Sequence, residues 1–133
     1  TIFDKGALIT DTTRLEYSCD IPKTYSLFFW MKKTQLLNDC IIMSLASTKT
    51  NNRVQIGYDN QNNRFYVNDT AQRKELYIQI TTSDRDWLFI GLSQSSDTRT
   101  FFINELNYNN TQCVQDSIPP CGTFDNLYLN PKE

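Results

Sequence analysis

The chain has 133 residues, 39% of them hydrophobic and 21% charged, with a formal net charge of −2. That length and balance describe one globular domain that buries roughly two-thirds of its unfolded surface. Lys32-Lys33 and Arg73-Lys74 are the only adjacent cation pairs, which leaves no basic footprint for nucleic acid, and no run nears the roughly 18 apolar residues that span a bilayer.

In chain order, Gly6-Ala7-Leu8-Ile9 and Arg14-Leu15-Glu16-Tyr17 read as short strands, and Tyr25 to Lys32 as a strong one. Asp39 to Ala46 follows. Arg53 to Tyr58 and Arg64 to Val67 alternate around the turn Asp59 to Asn63, where Asn and Asp tolerate the left-handed backbone of a tight hairpin. Glu75 to Ile80 alternates again. A hairpin from Asp86 to Asn104 pairs Trp87–Leu92 with Phe101–Asn104, and Phe124 to Leu129 closes the chain. Some ten short strands, regular turn chemistry and no helical period predict an antiparallel β-sandwich or barrel over residues 1–133. The start at Thr1 reads as a processed protein or a piece excised from a larger one.

Two strands carry apolar residues on both faces. If Leu27, Phe29 and Met31 join Leu88, Ile90 and Leu92 in the core, then Phe28, Trp30, Trp87, Phe89 and Phe102 share the opposite face. Such a face is either a platform on which sugar rings stack or a packing surface under loops or an adjoining domain. Packing is the expectation.

Cys19, Cys40, Cys113 and Cys121 contain no C-x-x-C spacing, and the chain has no histidine, so disulfides are a better reading than zinc. Three pairings are open in principle. Pro119-Pro120 and Gly122 shape a compact loop that favours Cys113 with Cys121, leaving Cys19 with Cys40. Disulfides imply an oxidising, extracellular or cell-surface location. The sequons at Asn68 and Asn109 agree with the secretory pathway.

The order of these features resembles the laminin-G-like and pentraxin-like branch of the concanavalin A-like lectin and glucanase superfamily. Phe3-Asp4-Lys5-Gly6-Ala7-Leu8-Ile9 stands for the opening segment, and Tyr25 to Lys32, with Trp30, for the strand that ends in tryptophan. The hairpin led by Trp87 matches the family's second tryptophan strand, and Gly122-Thr123-Phe124-Asp125-Asn126-Leu127-Tyr128-Leu129 its closing motif. The resemblance implies an antiparallel β-sandwich jelly roll and a binding role. It also implies calcium at the sandwich rim, for which Asp59, Asn60, Asn62 and Asp125 offer the oxygen ligands that a hard cation takes.

Without histidine, Ser-His-Asp and Cys-His catalysis are excluded. Glycan hydrolysis would need paired carboxylates, yet Glu16, Glu75, Glu105 and Glu133 are isolated, and Asp84-Arg85-Asp86 reads as a turn. No catalytic residue is assigned. The expectation is a non-catalytic extracellular recognition or adhesion module for a glycan or protein ligand. The alternative is a structural packing module in a larger extracellular assembly or filament, and glycan hydrolase is a remote third.

Overall fold

In a computed structural model that describes residues 14–32, 39–80, 87–106 and 109–131, the alternating segments form ten strands. They are β1 (Leu15–Ile21), β2 (Tyr25–Lys32), β3 (Cys40–Ala46), β4 (Arg53–Asp59), β5 (Arg64–Asp69), β6 (Glu75–Gln79), β7 (Trp87–Gln94), β8 (Arg99–Glu105), β9 (Asn110–Asp116) and β10 (Phe124–Leu129). The expected strand at Gly6–Ile9 and the Asp84-Arg85-Asp86 turn lie outside the described residues.

The strands divide into a six-stranded sheet, ordered β1-β10-β3-β4-β5-β6, and a four-stranded sheet, ordered β2-β7-β8-β9. Every pairing is antiparallel. Successive side chains point to opposite faces, so each strand sends every second residue into the space between the sheets. From the larger sheet Leu45, Val54, Ile56, Phe65, Val67 and Ile78 meet Leu88, Ile90, Leu92, Phe101 and Ile103 of the smaller one, all at most 2% exposed. The result is an antiparallel jelly-roll sandwich.

Turn chemistry reads as the sequence suggests. Asn63, at φ 49°, takes the left-handed backbone of the β4–β5 hairpin. Its side chain accepts the Tyr58 hydroxyl at 2.6 Å and donates to the Ile80 carbonyl at 3.1 Å, which ties this hairpin to the end of β6.

Strand β9 is not among the expected strands; its second half falls where Cys113 to Cys121 suggests a disulfide loop. Its sequence, Asn-Thr-Gln-Cys-Val-Gln-Asp, offers one aliphatic residue to the core side, Val114. An edge strand has one partner and needs little apolar surface, so polar edges leave a weak hydrophobic signature.

No disulfide joins the four cysteines in the structure. Cys113 sits opposite Phe102 and is exposed, whereas the Cys121 thiol turns toward Asp69 at the margin of the core. Cys19 follows Ser18, which aligns through Asn126 with Ala46, six residues along β3 from Cys40. That offset is about 20 Å, against the roughly 4–7 Å between the Cα atoms of bridged cysteines. Burial, then the Asp69 charge, pushes the Cys121 thiol up to about 11, and burial raises Cys40 as well. A maleimide should therefore modify exposed Cys19 and Cys113 well before Cys40 and Cys121, with four thiols counted by mass spectrometry after denaturation. A chain with no reactive thiol would restore the disulfide reading.

Where the two sheets meet near β5 and β8, a polar cluster replaces apolar packing. Arg99 Nη2 donates to Asp69 Oδ2 at 3.0 Å, with the two side chains 1% and 0% exposed. Arg99 Nε donates to Gln94 Oε1 at 2.8 Å, and Gln94 Nε2 donates to the Ile118 carbonyl at 2.8 Å. Asp69 Oδ1 accepts the backbone N–H groups of Ala71 and Gln72. Gln72 Nε2 donates to the Pro119 carbonyl at 2.7 Å, so the segment from β9 to β10 is held at two consecutive residues.

Candidate functional site

The outer face of the four-stranded sheet collects the aromatic residues singled out in the sequence. Register alone places them. Ser26, Ser93, Thr100 and Gln115 form one row across β2, β7, β8 and β9, and Phe28, Gly91, Phe102 and Cys113 form the next. Trp30, Phe89, Asn104 and Thr111 make the third, and Lys32 pairs with Trp87 in the fourth. All five predicted residues, Phe28, Trp30, Trp87, Phe89 and Phe102, therefore share one face.

The rings of Phe28, Trp30, Phe89 and Phe102 touch one another. Phe89 lies 4.5 Å from Trp30, 6.0 Å from Phe28 and 5.8 Å from Phe102, while Phe28 and Phe102 are 5.6 Å apart between centroids. The planes of Phe28 and Phe89 lie within 10° of parallel. Lys32 Nζ stands 5.7 Å from the Trp87 ring, a cation–π distance.

Gly91 makes the tiling close. A Cβ there would fall 2.0 Å from Phe102 Cε1, so the Phe102 ring lies flat across the bare glycine backbone. The sequence marks Gly91 as one of 4 glycines; its role emerges only once β7 and β8 are in register.

Phe28, Trp30 and Trp87 are 51%, 56% and 47% exposed. No described segment of the chain covers Phe28, Trp30 or Trp87, which leaves an adjoining domain as the cover that the packing expectation allows. The polar border was missed in the sequence. Ser26 and Ser93 share a hydrogen bond at 3.2 Å, Thr100 Oγ1 donates to Gln115 Oε1 at 3.4 Å, and Asn104 Nδ2 donates to Thr111 Oγ1. Their signal was the period-2 alternation of β2, β7, β8 and β9, which sets these polar side chains beside the aromatic ones.

The four residues proposed for calcium do not form one ligand set. Asp59, Asn60 and Asn62 share the β4–β5 turn, whereas Asp125 begins at the other end of the sheet, about 20 Å away along β3 and β4. Each carboxylate already faces donors. Asp59 takes the Gln61 and Asn62 backbone N–H groups, Asn62 Nδ2 and Arg64 Nε, the last at 3.1 Å. The Asn62 hydrogen bonds foremost, with Arg64 beside them, hold the Asp59 carboxyl below the usual range. Asp125 takes the Thr48 hydroxyl and backbone N–H, which lower its carboxyl likewise. The Asn60 backbone N–H donates to Asp39. Asp59 and Asp125 lie too far apart to share one ion. Millimolar calcium should leave the melting temperature unchanged in a fluorimetric melt; an upward shift that disappears in Asp59→Asn would overturn this.

The described glutamates are equally dispersed. Glu16 and Glu75 sit at opposite ends of one row across the six-stranded sheet, five strand spacings or about 24 Å apart, where glycosidase pairs need about 5–10 Å. Glu105 is buried in the other sheet and accepts a hydrogen bond from Asn110 at 2.8 Å. Glu133 lies outside the described residues. Of the two sequons, Asn109 stands exposed at φ 47° in the β8–β9 turn, whereas Asn68 is half-buried in β5 with its carboxamide oxygen out of solvent.

No protein-family model matches the sequence, and no curated protein does. Among solved structures, the LG1–3 region of the laminin alpha2 chain superposes with a TM-score of 0.69 at 14% identity, over 90% of this chain and 25% of that one. Basic winged bean lectin in complex with Tn-antigen gives 0.66 at 7% identity, covering 88% and 68%. Scytalido-glutamic peptidase gives 0.55 at 8% identity, covering 85% and 61%. The chain thus spans a quarter of the laminin fragment's length. At these identities the likeness establishes the fold, a concanavalin A-like jelly-roll sandwich of the laminin-G and lectin type, and nothing finer.

Proposed function

We propose that this chain is a non-catalytic extracellular recognition module that binds a glycan or protein partner on the outer face of its four-stranded sheet. One observation carries the reading: a contiguous aromatic field with three side chains about half exposed, bordered by hydroxyl and amide groups. Contiguous exposed apolar surface on a soluble domain marks an interaction site. The dispersion of Glu16, Glu75 and Glu105 supports the non-catalytic part of the reading. Structural likeness to laminin and lectin domains supports the binding part.

A packing role in a larger extracellular assembly is the second reading, favoured by the same exposed field. Glycan and extracellular-protein arrays probed with the wild type and with Phe28→Ser/Trp30→Ser separate the two. Binding lost in the double variant supports recognition. Blank arrays, together with self-association of the wild type that the variant lacks, support packing.

A further inference from the structure

The size, charge and border of the aromatic face narrow its occupant. Three half-exposed and two partly exposed aromatic side chains present on the order of 400 Å² of apolar surface, since each such side chain carries about 150–250 Å² in all. A stable protein dimer buries about 800 Å² per partner. Four strands about 4.8 Å apart and eight residues long give the whole face only about 500 Å² in plan. The aromatic field by itself offers about half of what such a dimer buries per partner, a size that suits a ligand a few rings long.

Charge points the same way. Among the described residues of these four rows, Lys32 is the only ionisable group besides the Cys113 thiol. An acidic polymer would find one cation to meet it, and a basic one no carboxylate. Hydrogen-bonding capacity is plentiful: Ser26, Ser93, Thr100 and Gln115 line one side of the rings, and Asn104 and Thr111 stand beside Phe89 and Phe102. A ligand with apolar faces and hydroxyl edges answers both features. A pyranose with equatorial hydroxyls is such a ligand, since its C–H face stacks on an aromatic ring while its hydroxyls reach outward to polar partners.

We infer that the outer face of the four-stranded sheet binds a neutral oligosaccharide, with its rings over Trp30, Phe89, Phe28 and Phe102 and its hydroxyls on the flanking serine, threonine and amide side chains. This rests on the recognition reading and names its ligand class. Gly91 is the specificity-determining position, because it lets Phe102 lie down and keeps the field level with Phe28.

Both tryptophans of the chain, Trp30 and Trp87, lie on this face, so intrinsic fluorescence reports on it directly. The full chain is titrated with β-linked hexasaccharides of glucose and of N-acetylglucosamine, and with a sulfated hexasaccharide as control. A saturable blue shift with a neutral hexasaccharide, absent with the sulfated one, is the expected result. Gly91→Ala, which drives Phe102 upward while keeping every aromatic residue, is expected to weaken binding at least tenfold and to remain folded by circular dichroism.

A shift that survives unchanged in both Gly91→Ala and Phe28→Ser overturns the site. Silence with both neutral probes overturns the ligand class; protein-array binding lost in Phe28→Ser/Trp30→Ser would then leave the recognition reading standing. Concentration-dependent dimerisation abolished by that double variant would overturn both.

Discussion

Replacing Arg99 by methionine is expected to lower stability by about 3–5 kcal/mol, because it leaves the Asp69 carboxylate buried without its counter-charge. Asp69 has no exposed surface, and Arg99 Nη2 at 3.0 Å is its cationic partner. The Gln94 carboxamide oxygen loses the Arg99 Nε–H at the same time. A domain of this size is stable by about 5–15 kcal/mol, so the loss is a large part of the total. Urea melts followed by tryptophan fluorescence measure it.

The companion experiment separates charge from shape. Asp69→Asn keeps an oxygen for the backbone N–H groups of Ala71 and Gln72 but removes the charge. Arg99→Met/Asp69→Asn should therefore be less destabilised than the two single losses together, with a coupling of about 0.5–3 kcal/mol. A loss below about 1 kcal/mol in Arg99→Met would mean that the pair is not buried. Because Gln94 and Gln72 tie the same cluster to Ile118 and Pro119, the segment before β10 should gain protease sensitivity in the single variant.

The second large effect sets two neighbours apart. Phe101→Ala is expected to cost about 3–5 kcal/mol, whereas Phe102→Ala should cost under about 1.5 kcal/mol and reduce binding instead. Phe101 is fully buried between the sheets; Phe102, next along β8, lies on the outer face over Gly91. A one-residue slip of register would reverse the two results, so the pair tests the pleat as well as the packing. Equal losses in both variants would mean that the outer face is a second core.

The sequence by itself determined the local features. Apolar patterning and turn signals located nine of the ten strands, Tyr25 to Lys32 and Trp87 to Leu92 most clearly, because side-chain direction follows directly from backbone pleat. It fixed the Asn63 turn, since left-handed backbone suits asparagine, and it put Phe28, Trp30, Trp87, Phe89 and Phe102 on a common face. The missing histidine excluded Ser-His-Asp and Cys-His catalysis, and the scattered glutamates made glycan hydrolysis a remote reading.

Tertiary structure decided everything that depends on which strands are neighbours. Cys113 and Cys121 are eight residues apart in sequence, yet Cys113 is exposed opposite Phe102 while Cys121 packs at the margin of the core. Asp59 and Asp125 look alike as turn residues, but β3 and β4 hold them at opposite ends. Asp69 and Arg99, 30 residues apart, meet only because the two sheets close over them. Exposure of the aromatic face, its polar border and the seat of Phe102 on Gly91 are likewise products of register. Pleat is a property of one strand, whereas register, burial and the distance between thiols belong to the assembled sandwich.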